Sequence, residues 1–260
     1  MHPLTATELG VDFDPRKAFI HGHLPAATDA PDPESYLKAY VGTYLREEVR
    51  DEALVRNVAA FSRFLEAASL SQGSLLNVQS VAADSGMPRK TVESHFELLE
   101  DLMLGVRLQP FRRRPKRKLV AHPKFYFFDA GVFRAVRPKG PFEPIDEIEG
   151  AGIETLVLQE LRAQNSNLDL GYEITFWRTS DGREVDFILY GERGLVAVEV
   201  KRSSVFREQD LASLRIFLGD CPGAEGLLLY GGESEYRFGD IRVLPIDRGL
   251  VRLPELLHAF

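Results

Sequence analysis

The fold is decided by the stretch Arg183-Glu184-Val185-Asp186-Phe187-Ile188-Leu189-Tyr190, Gly191-Glu192-Arg193-Gly194, Leu195-Val196-Ala197-Val198-Glu199-Val200-Lys201. Two strand-like runs flank a short turn, which predicts a β-hairpin centred on Glu192 and Arg193. Continued along both strands, this register places Asp186 directly opposite Glu199. Like charges directly across a strand pair are destabilising, and a divalent cation held between them removes that penalty. The hairpin therefore predicts a metal site.

Strand periodicity puts the polar side chains of the hairpin on one face. Residues two apart share a face, so Glu199 and Lys201 point the same way, with Glu184 and Asp186 opposite them. The other face is then apolar and suits a sheet packed on a helix: Val185, Phe187, Val198 and Val200. The alternative is a structural network, with the carboxylates solvated or paired to lysines and a cross-strand salt bridge between Glu184 and Lys201.

A third candidate carboxylate comes from a predicted helix over residues 152–164. Glu154 lies within its apolar arc, where a carboxylate is costly unless it is paired or metal-bound; the alternative is a side chain that leans to the helix edge. Glu160 sits at the arc's edge as a supporting residue. Oxygen ligands of this kind suit Mg²⁺ or Mn²⁺, and Lys201 could orient a water or neutralise charge on a phosphate.

Composition restricts the class of protein. The 260 residues are 44% hydrophobic and 27% charged, as in ordinary globular proteins. The sequence has no long apolar run, so no transmembrane helix is predicted. The start Met1-His2-Pro3-Leu4 does not have the pattern of a signal peptide. With Cys221 as the single cysteine no intrachain disulfide forms, and we expect a cytoplasmic location. The net charge of −7 argues against a surface coated in nucleic acid but allows a local basic patch.

A winged helix is predicted before the hairpin domain. Asn77 caps a helix over 78–85, Gly86 ends it, and a second helix follows over 89–102. The strand-like runs 104–111 and 119–128 then form a β-hairpin whose basic turn, the wing, covers residues 112–118.

Two basic surfaces of this winged helix could contact nucleic acid. The second helix exposes Arg89, Lys90, Thr91, Ser94 and His95. The wing carries Arg112, Arg113, Arg114, Lys116, Arg117 and Lys118. Basic side chains on phosphates give salt-sensitive affinity, and the helix could add groove contacts. The alternatives are a solvated hairpin tip or contact with an acidic protein partner.

The chain reads as an α/β protein, α+β overall, with two domains behind an N-terminal segment. We predict a tail and helix over 1–50, the helical winged-helix domain over 51–135, and an α/β domain over 136–260. Helical patterns cover 33–49 and 52–68. The last domain follows the order α-β-β-β-α-β, which predicts a mixed sheet with flanking helices.

Glu154, Asp186 and Glu199-Val200-Lys201 on this element order resemble the PD-(D/E)XK nuclease superfamily, although Val185 stands where Pro often precedes the Asp. The resemblance implies a restriction-endonuclease-like fold with Glu154, Asp186 and Glu199 as metal ligands and Lys201 as the catalytic base or charge stabiliser.

Nearly the whole chain is also similar to a prokaryotic family of AAA-type ATPases with a C-terminal domain of unknown function 4143. The segments that carry this similarity are 40–45, 123–131, 176–178, 184–187 and 199–201. The sequence has no Gly-x-x-x-x-Gly-Lys-Ser/Thr, so we expect no ATPase activity from it and interpret it as the family's C-terminal portion. A separate ATPase or another protein is a possible partner.

Two functions follow as hypotheses. The first is a Mg²⁺- or Mn²⁺-dependent nuclease that engages DNA. The second is a DNA- or protein-docking module without hydrolytic activity, because fold and function separate easily.

Overall fold

A computed structural model describes residues 2–44, 57–113, 117–140 and 144–259. The chain forms two compact units that differ from the predicted division at 50 and 135. The helical unit comprises Arg16–Arg107 and His122–Leu156. The sheet unit comprises Met1–Pro15, Leu108–Ala121 and Val157–Phe260. Residues 1–15 of the predicted N-terminal segment and the predicted wing, both expected ahead of the α/β domain, therefore belong to the sheet unit.

The helix-turn-helix of the helical unit is confirmed. Asn77 accepts hydrogen bonds from the backbone of Gln79 and Ser80 at 3.1 and 3.2 Å, which caps the first helix. Gly86 ends it with φ +67°, the left-handed conformation that favours glycine. The helices of this unit are α2 Pro15–His21, α3 Pro25–Thr28, α4 Pro33–Ala39, α5 Val58–Ser69, α6 Val78–Ser85, α7 Arg89–Asp101, α8 Ala130–Val136 and the start of α9 Ile145–Asn167. A π-helical turn, Tyr40–Tyr44, follows α4, and residues 45–56 of the two predicted helical patterns lie outside the described residues.

An aromatic core holds the helical unit together and includes His95, which was wrongly predicted to be exposed. The His95 ring is 8% exposed and lies 5.2 and 5.1 Å from the rings of Phe61 and Phe64. Its Nδ1 is 2.9 Å from the carbonyl oxygen of Thr91. Burial lowers the pKa of His95 below its ordinary value. The aromatic pocket therefore favours the neutral imidazole.

Asp129 joins two segments of the helical unit. Its carboxylate is fully buried and accepts from the backbone N–H of His23 at 2.8 Å and of Val132 at 2.9 Å. The second bond caps α8. At Gly131 a Cβ would come within 2.1 Å of the His21 carbonyl oxygen, so only glycine allows this approach. Burial raises the pKa of Asp129, against the lowering effect of its backbone hydrogen bonds.

The described residues on either side of the predicted wing lie against the large sheet. Strand β1, Gly105–Leu108, pairs with β2, Lys124–Phe127, which confirms the hairpin base. Between these strands, Phe111 donates to the Phe176 carbonyl at 2.6 Å and Val120 to that of Arg178 at 3.1 Å, both at the edge of the large sheet. The tip of the wing, residues 114–116, lies outside the described residues. Alternation of apolar residues cannot distinguish a projecting hairpin from strands that extend a neighbouring sheet.

The sheet unit is built on a mixed sheet that, within the described residues, has six strands in the order β3-β4-β5-β6-β8-β7. The antiparallel hairpin β4–β5 has the predicted turn, with Gly191 opposite Gly194 and Tyr190 opposite Leu195. Strands β5, β6 and β8 are parallel. The strands are β3 Glu173–Arg178, β4 Glu184–Gly191, β5 Gly194–Lys201, β6 Glu225–Tyr230, β7 Tyr236–Phe238 and β8 Ile241–Pro245.

Helices complete the sheet unit. They are α1 Ala6–Leu9, the second half of α9, α10 Ala212–Asp220, α11 Ile246–Val251 and α12 Leu253–Ala259, with 3₁₀ turns at Gly10–Asp12 and Glu208–Leu211. Leu214 and Phe217 of α10 pack in one cluster with Val185, Ile188 and Ala197 of the hairpin. Strand β7 and the last two helices were not predicted. In the described part of the chain, no helix has the length and apolar character to cross a membrane.

The buried His95 predicts an acid-sensitive fold. Because the folded state lowers its pKa, the stability that the neutral ring contributes is present above the ordinary value of 6.5 and is lost as pH falls below it. We expect the thermal midpoint to fall between pH 7 and pH 5 less steeply in His95→Phe than in the unmodified protein. Differential scanning calorimetry checks this, with exposed His122→Gln as the control. Equal slopes for all three proteins would contradict it.

Removal of the Asp129 carboxylate predicts a loss of stability. Asp129→Ala leaves two buried N–H groups without their acceptor, at about 1–3 kcal/mol each. We therefore expect a loss of about 2–6 kcal/mol in the free energy of unfolding, measured by urea titration. Asp129→Asn keeps one acceptor oxygen and should lose less. A loss below about 0.5 kcal/mol, typical of surface changes, would show that these bonds contribute little.

Candidate functional site

Asp186 lies at a β-bulge. Along β3 two steps separate Thr175 from Trp177, whereas their partners Ile188 and Val185 on β4 are three apart. Asp186 and Phe187 therefore face the single residue between Thr175 and Trp177. A bulge re-aims a side chain and locally interrupts the ladder. Strict alternation predicted that Val185 and Ile188 point to opposite faces of the sheet. The bulge changes this, because Val185 packs in the same apolar cluster as Ile188.

The carboxylate of Asp186 takes over a backbone role at this interruption. The regular pairing of β4 with β5 runs from the turn to Phe187 opposite Val198. Beyond it, the N–H of Val200 donates to Asp186 Oδ2 at 2.8 Å. The predicted register is thus confirmed up to Phe187, and the next position is a side-chain to backbone contact. Asp186 is 7% exposed, so this charge-assisted bond is shielded from water.

Glu199 and Lys201 stand at the carboxyl end of β5. Glu199 is 4% exposed, and Lys201 Nζ donates to its Oε1 at 2.5 Å. The Lys201 side chain is 39% exposed to solvent. Their parallel partners on β6 are Leu228 and Tyr230. The pair therefore links a buried carboxylate to a cation that reaches solvent.

Glu184 forms an ion pair with a residue of the neighbouring strand. Its Oε2 lies 2.9 Å from Arg178 Nη1 across the β3–β4 pair. Lys201 forms an ion pair with Glu199 on its own strand. The cross-strand salt bridge between Glu184 and Lys201 stays a prediction.

The loops after β5 and β6 pack closely at the same edge of the sheet. Gly231 N–H donates to the carbonyls of Lys201 and Ser203, both at 3.1 Å. A Cβ at Gly231 would lie 2.4 Å from the carbonyl oxygen of Arg202. This contact fixes the backbone where β5 ends. Ligands of sheets with parallel strands bind at such carboxyl ends.

Glu154, the third predicted ligand, belongs to the helical unit. Its Oε2 accepts from the Tyr126 hydroxyl at 3.1 Å and lies 4.0 Å from Lys124 Nζ. Lys124 and Tyr126 on β2 are 1% and 0% exposed. Gly73 lies beside this carboxylate, and both line a cavity of about 320 Å³. The metal-ligand role of Glu154 stays a prediction, and its contacts with Tyr126 and Lys124 were not predicted.

Glu160, which was predicted to support the site, contacts the N-terminal segment, and its supporting role stays a prediction. Its side chain is 1% exposed, and Oε1 accepts from the backbone N–H of Ala6 at 2.7 Å. The N-terminal segment is tied to the sheet unit by this bond. Helix periodicity placed Glu160 at an edge but gave no sign of the segment that covers it.

The described residues contain no group of three or more His, Cys, Asp or Glu side chains placed to hold a metal ion. Asp186 and Glu199 remain a pair of buried carboxylates on neighbouring strands. The metal-ligand roles of Glu154, Asp186 and Glu199 and the catalytic role of Lys201 stay predictions. Hard carboxylate oxygens do fit Mg²⁺ or Mn²⁺ chemically.

Some cations of the predicted wing already have partners within the protein. Arg113 pairs with Glu173 at 3.2 Å, and Arg117 donates to Asp220 at 2.5 Å, which raises the Arg117 pKa. Arg112 donates to the carbonyl of Ala121. Lys118 is exposed. Arg114 and Lys116 lie outside the described residues.

On the helix-turn-helix, part of the predicted basic face is exposed. Arg89 is exposed and forms an (i, i+4) pair with Glu93 at 2.9 Å. Lys90 is exposed, and Thr91 is half-buried. Nucleic-acid binding by these residues stays a prediction.

The sequence contained one signal for the polar groups that were missed. Lys124 and Tyr126 alternate within an aromatic strand, Lys124-Phe125-Tyr126-Phe127, and a lysine in such a run is costly to bury without a partner. Gln72, 6% exposed, donates to Thr155 at 2.6 Å and accepts from Phe127 N–H at 2.9 Å. No comparable pattern surrounds Gln72.

Two domain families match the chain, and a search of curated proteins finds no match. Residues 149–248 match a domain of unknown function, DUF4143, the family associated with the C-terminal part of AAA-type ATPases. Residues 13–143, just over half of the chain, match a second domain of unknown function, DUF8612. The chain therefore belongs to the DUF8612 family and carries a DUF4143 domain in its C-terminal part.

Proposed function

We propose that the sheet unit hydrolyses phosphodiester bonds of DNA with the help of Mg²⁺ or Mn²⁺. The observation that supports this most is the bulge at Asp186, which brings a buried carboxylate out of the regular ladder beside the strand that carries Glu199. Bulges of this kind are frequent next to active sites. Two buried carboxylates are expensive in an apolar sheet and are more easily tolerated with a cation.

Each residue has a separate role in this proposal. Asp186 and Glu199 hold the metal through hard oxygen atoms, and Asp186 is oriented by the N–H of Val200. A bound metal supplies Lewis acidity and lowers the pKa of a water. Lys201 is held by Glu199 yet partly exposed, so its ammonium can neutralise charge that develops on the phosphate.

DNA engagement would come from exposed cations on both units. Lys90 on α7 and Lys118 in the sheet unit are exposed. Contacts of this kind with phosphates position the duplex without reading its sequence. Because the sequence has no P-loop, we further propose that a separate ATPase supplies any ATP-dependent step.

Substitution of the three residues should separate metal binding from catalysis. Glu199→Gln should weaken Mn²⁺ binding at least tenfold in calorimetry, because a charged ligand is lost. Lys201→Met should keep Mn²⁺ binding but slow plasmid cleavage about 100-fold or more, as expected for loss of charge stabilisation.

The matched control is Glu184→Gln, which removes the same charge from the neighbouring strand. Its carboxylate pairs with Arg178, so metal affinity and cleavage should stay near those of the unmodified protein. No Mn²⁺ binding at millimolar metal, or cleavage unchanged by Lys201→Met, would defeat the nuclease proposal.

A docking module without hydrolytic activity is the second candidate. The short Lys201–Glu199 contact favours it, because the two charges satisfy each other as in a structural network. The absence of a three-ligand group among the described residues points the same way. A gel shift on DNA without cleavage in Mg²⁺ or Mn²⁺ would support this candidate. No shift at low salt would indicate a protein partner.

The two wing cations should contribute unequally to DNA affinity. Arg117 already bonds to Asp220, whereas Lys118 is exposed. We expect Lys118→Met to weaken binding more than Arg117→Met and to reduce the slope of log affinity against log salt by about 1. Fluorescence anisotropy at several salt concentrations measures both. A larger loss in Arg117→Met would reverse this assignment.

A further inference from the structure

A small cationic cavity lies in the helical unit, and none of the predicted site residues lines it. Its volume is about 100 Å³. Three cationic side chains line it, Lys38, Arg134 and Lys139, together with His21 and one carboxylate, Glu34. The size suits a single small anionic group.

Arg134 provides the main evidence for a ligand. It is half-buried in the lining of the cavity, and its Nη1 atom is buried without a hydrogen-bond partner among the described residues. A buried donor without a partner is costly, and more so when it is charged. Burial lowers the pKa of Arg134, and the charges of Glu149 and Glu34 oppose that effect. Arginine remains protonated in proteins, so an anion in the cavity would add to the stabilisation that these two carboxylates provide.

Glu34 already behaves as an internal anion for the neighbouring lysines. Its Oε1 lies 2.6 Å from Lys139 Nζ and 3.0 Å from Lys38 Nζ. Hydrogen bonds from Lys139 and then Lys38 lower the pKa of Glu34 to about 2. One carboxylate therefore balances part of the charge, and the cations still outnumber the acidic side chains that line the cavity.

We propose that this cavity binds a phosphate group, with Arg134 as the principal donor and Lys38 and Lys139 as supporting cations. The planar guanidinium offers a fork of N–H groups that matches phosphate oxygens, and the lysines act as point charges. Glu34 competes with the ligand for the same lysines. The phosphate could belong to a free phosphate ester or to a nucleic-acid backbone.

Calorimetric titration of the full chain with inorganic phosphate tests the site. We expect saturable binding of one phosphate per chain. Arg134→Met should weaken it about tenfold or more, because charge-assisted bonds are lost. Arg134→Lys should bind with intermediate affinity, since it keeps the charge but loses the fork. Glu34→Gln should tighten binding several-fold, because the competing anion is removed.

The control is Arg63→Met, which removes the same charge from an exposed position in the same unit and should leave phosphate affinity unchanged. Far-UV circular dichroism verifies folding, and Arg134→Lys keeps the test valid if Arg134→Met unfolds. No saturable phosphate binding, equal affinity in Arg134→Lys and the unmodified protein, or weaker binding in Glu34→Gln overturns the proposal.

Competition identifies the source of the phosphate. Displacement of bound phosphate by a short DNA duplex, weakened in Arg134→Lys, would support a backbone phosphate. Displacement by a nucleoside monophosphate alone would support a free phosphate ester. Neither arm depends on metal or on cleavage, so failure of the nuclease proposal would leave this result unaffected.

Discussion

The hydrogen bond from Val200 N–H to the Asp186 carboxylate controls the geometry of the sheet unit. It replaces a rung of the β4–β5 ladder at the point where β4 carries one residue more than β3. Backbone groups inside a sheet must be paired, so the extra residue is tolerated only because a side chain supplies the missing acceptor. Beyond this point Val185 packs in the apolar cluster under α10, and Asp186 leaves the regular ladder.

The hairpin illustrates both the reach and the limit of sequence patterns. Its turn and the register from Gly191 to Phe187 were predictable, because a two-residue turn sets the pairing of every residue that follows it. The bulge was not predictable, because alternation of apolar residues assumes that the partner strand advances at the same rate. One additional residue was enough to move Val185 to the other face.

In the helical unit, too, features set by neighbouring residues were predicted, whereas features set by residues distant in sequence were not. The helix-turn-helix was identified by its cap, its left-handed glycine and its proline, which are all local signals. His95 was misplaced, because the rings of Phe61 and Phe64 that enclose it come from a helix about 30 residues earlier. The contacts of the residues beside the wing were missed for a related reason, since β3, which they contact, lies more than 50 residues away in sequence. Of the candidate site, the residues were identifiable, whereas their hydrogen-bond partners depended on these long-range contacts.

Because β4 carries one residue more than β3 at the bulge, deleting Asp186 would have a different effect from substituting it. Replacing Asp186 by another residue would leave the extra position in the strand and remove only the acceptor for Val200. Deleting Asp186 would instead allow an uninterrupted ladder, with Val185 in continuous alternation with Phe187. A shorter chain could in this way have a more regular sheet than the longer one. The irregularity is thus a property of residue count as well as of residue type.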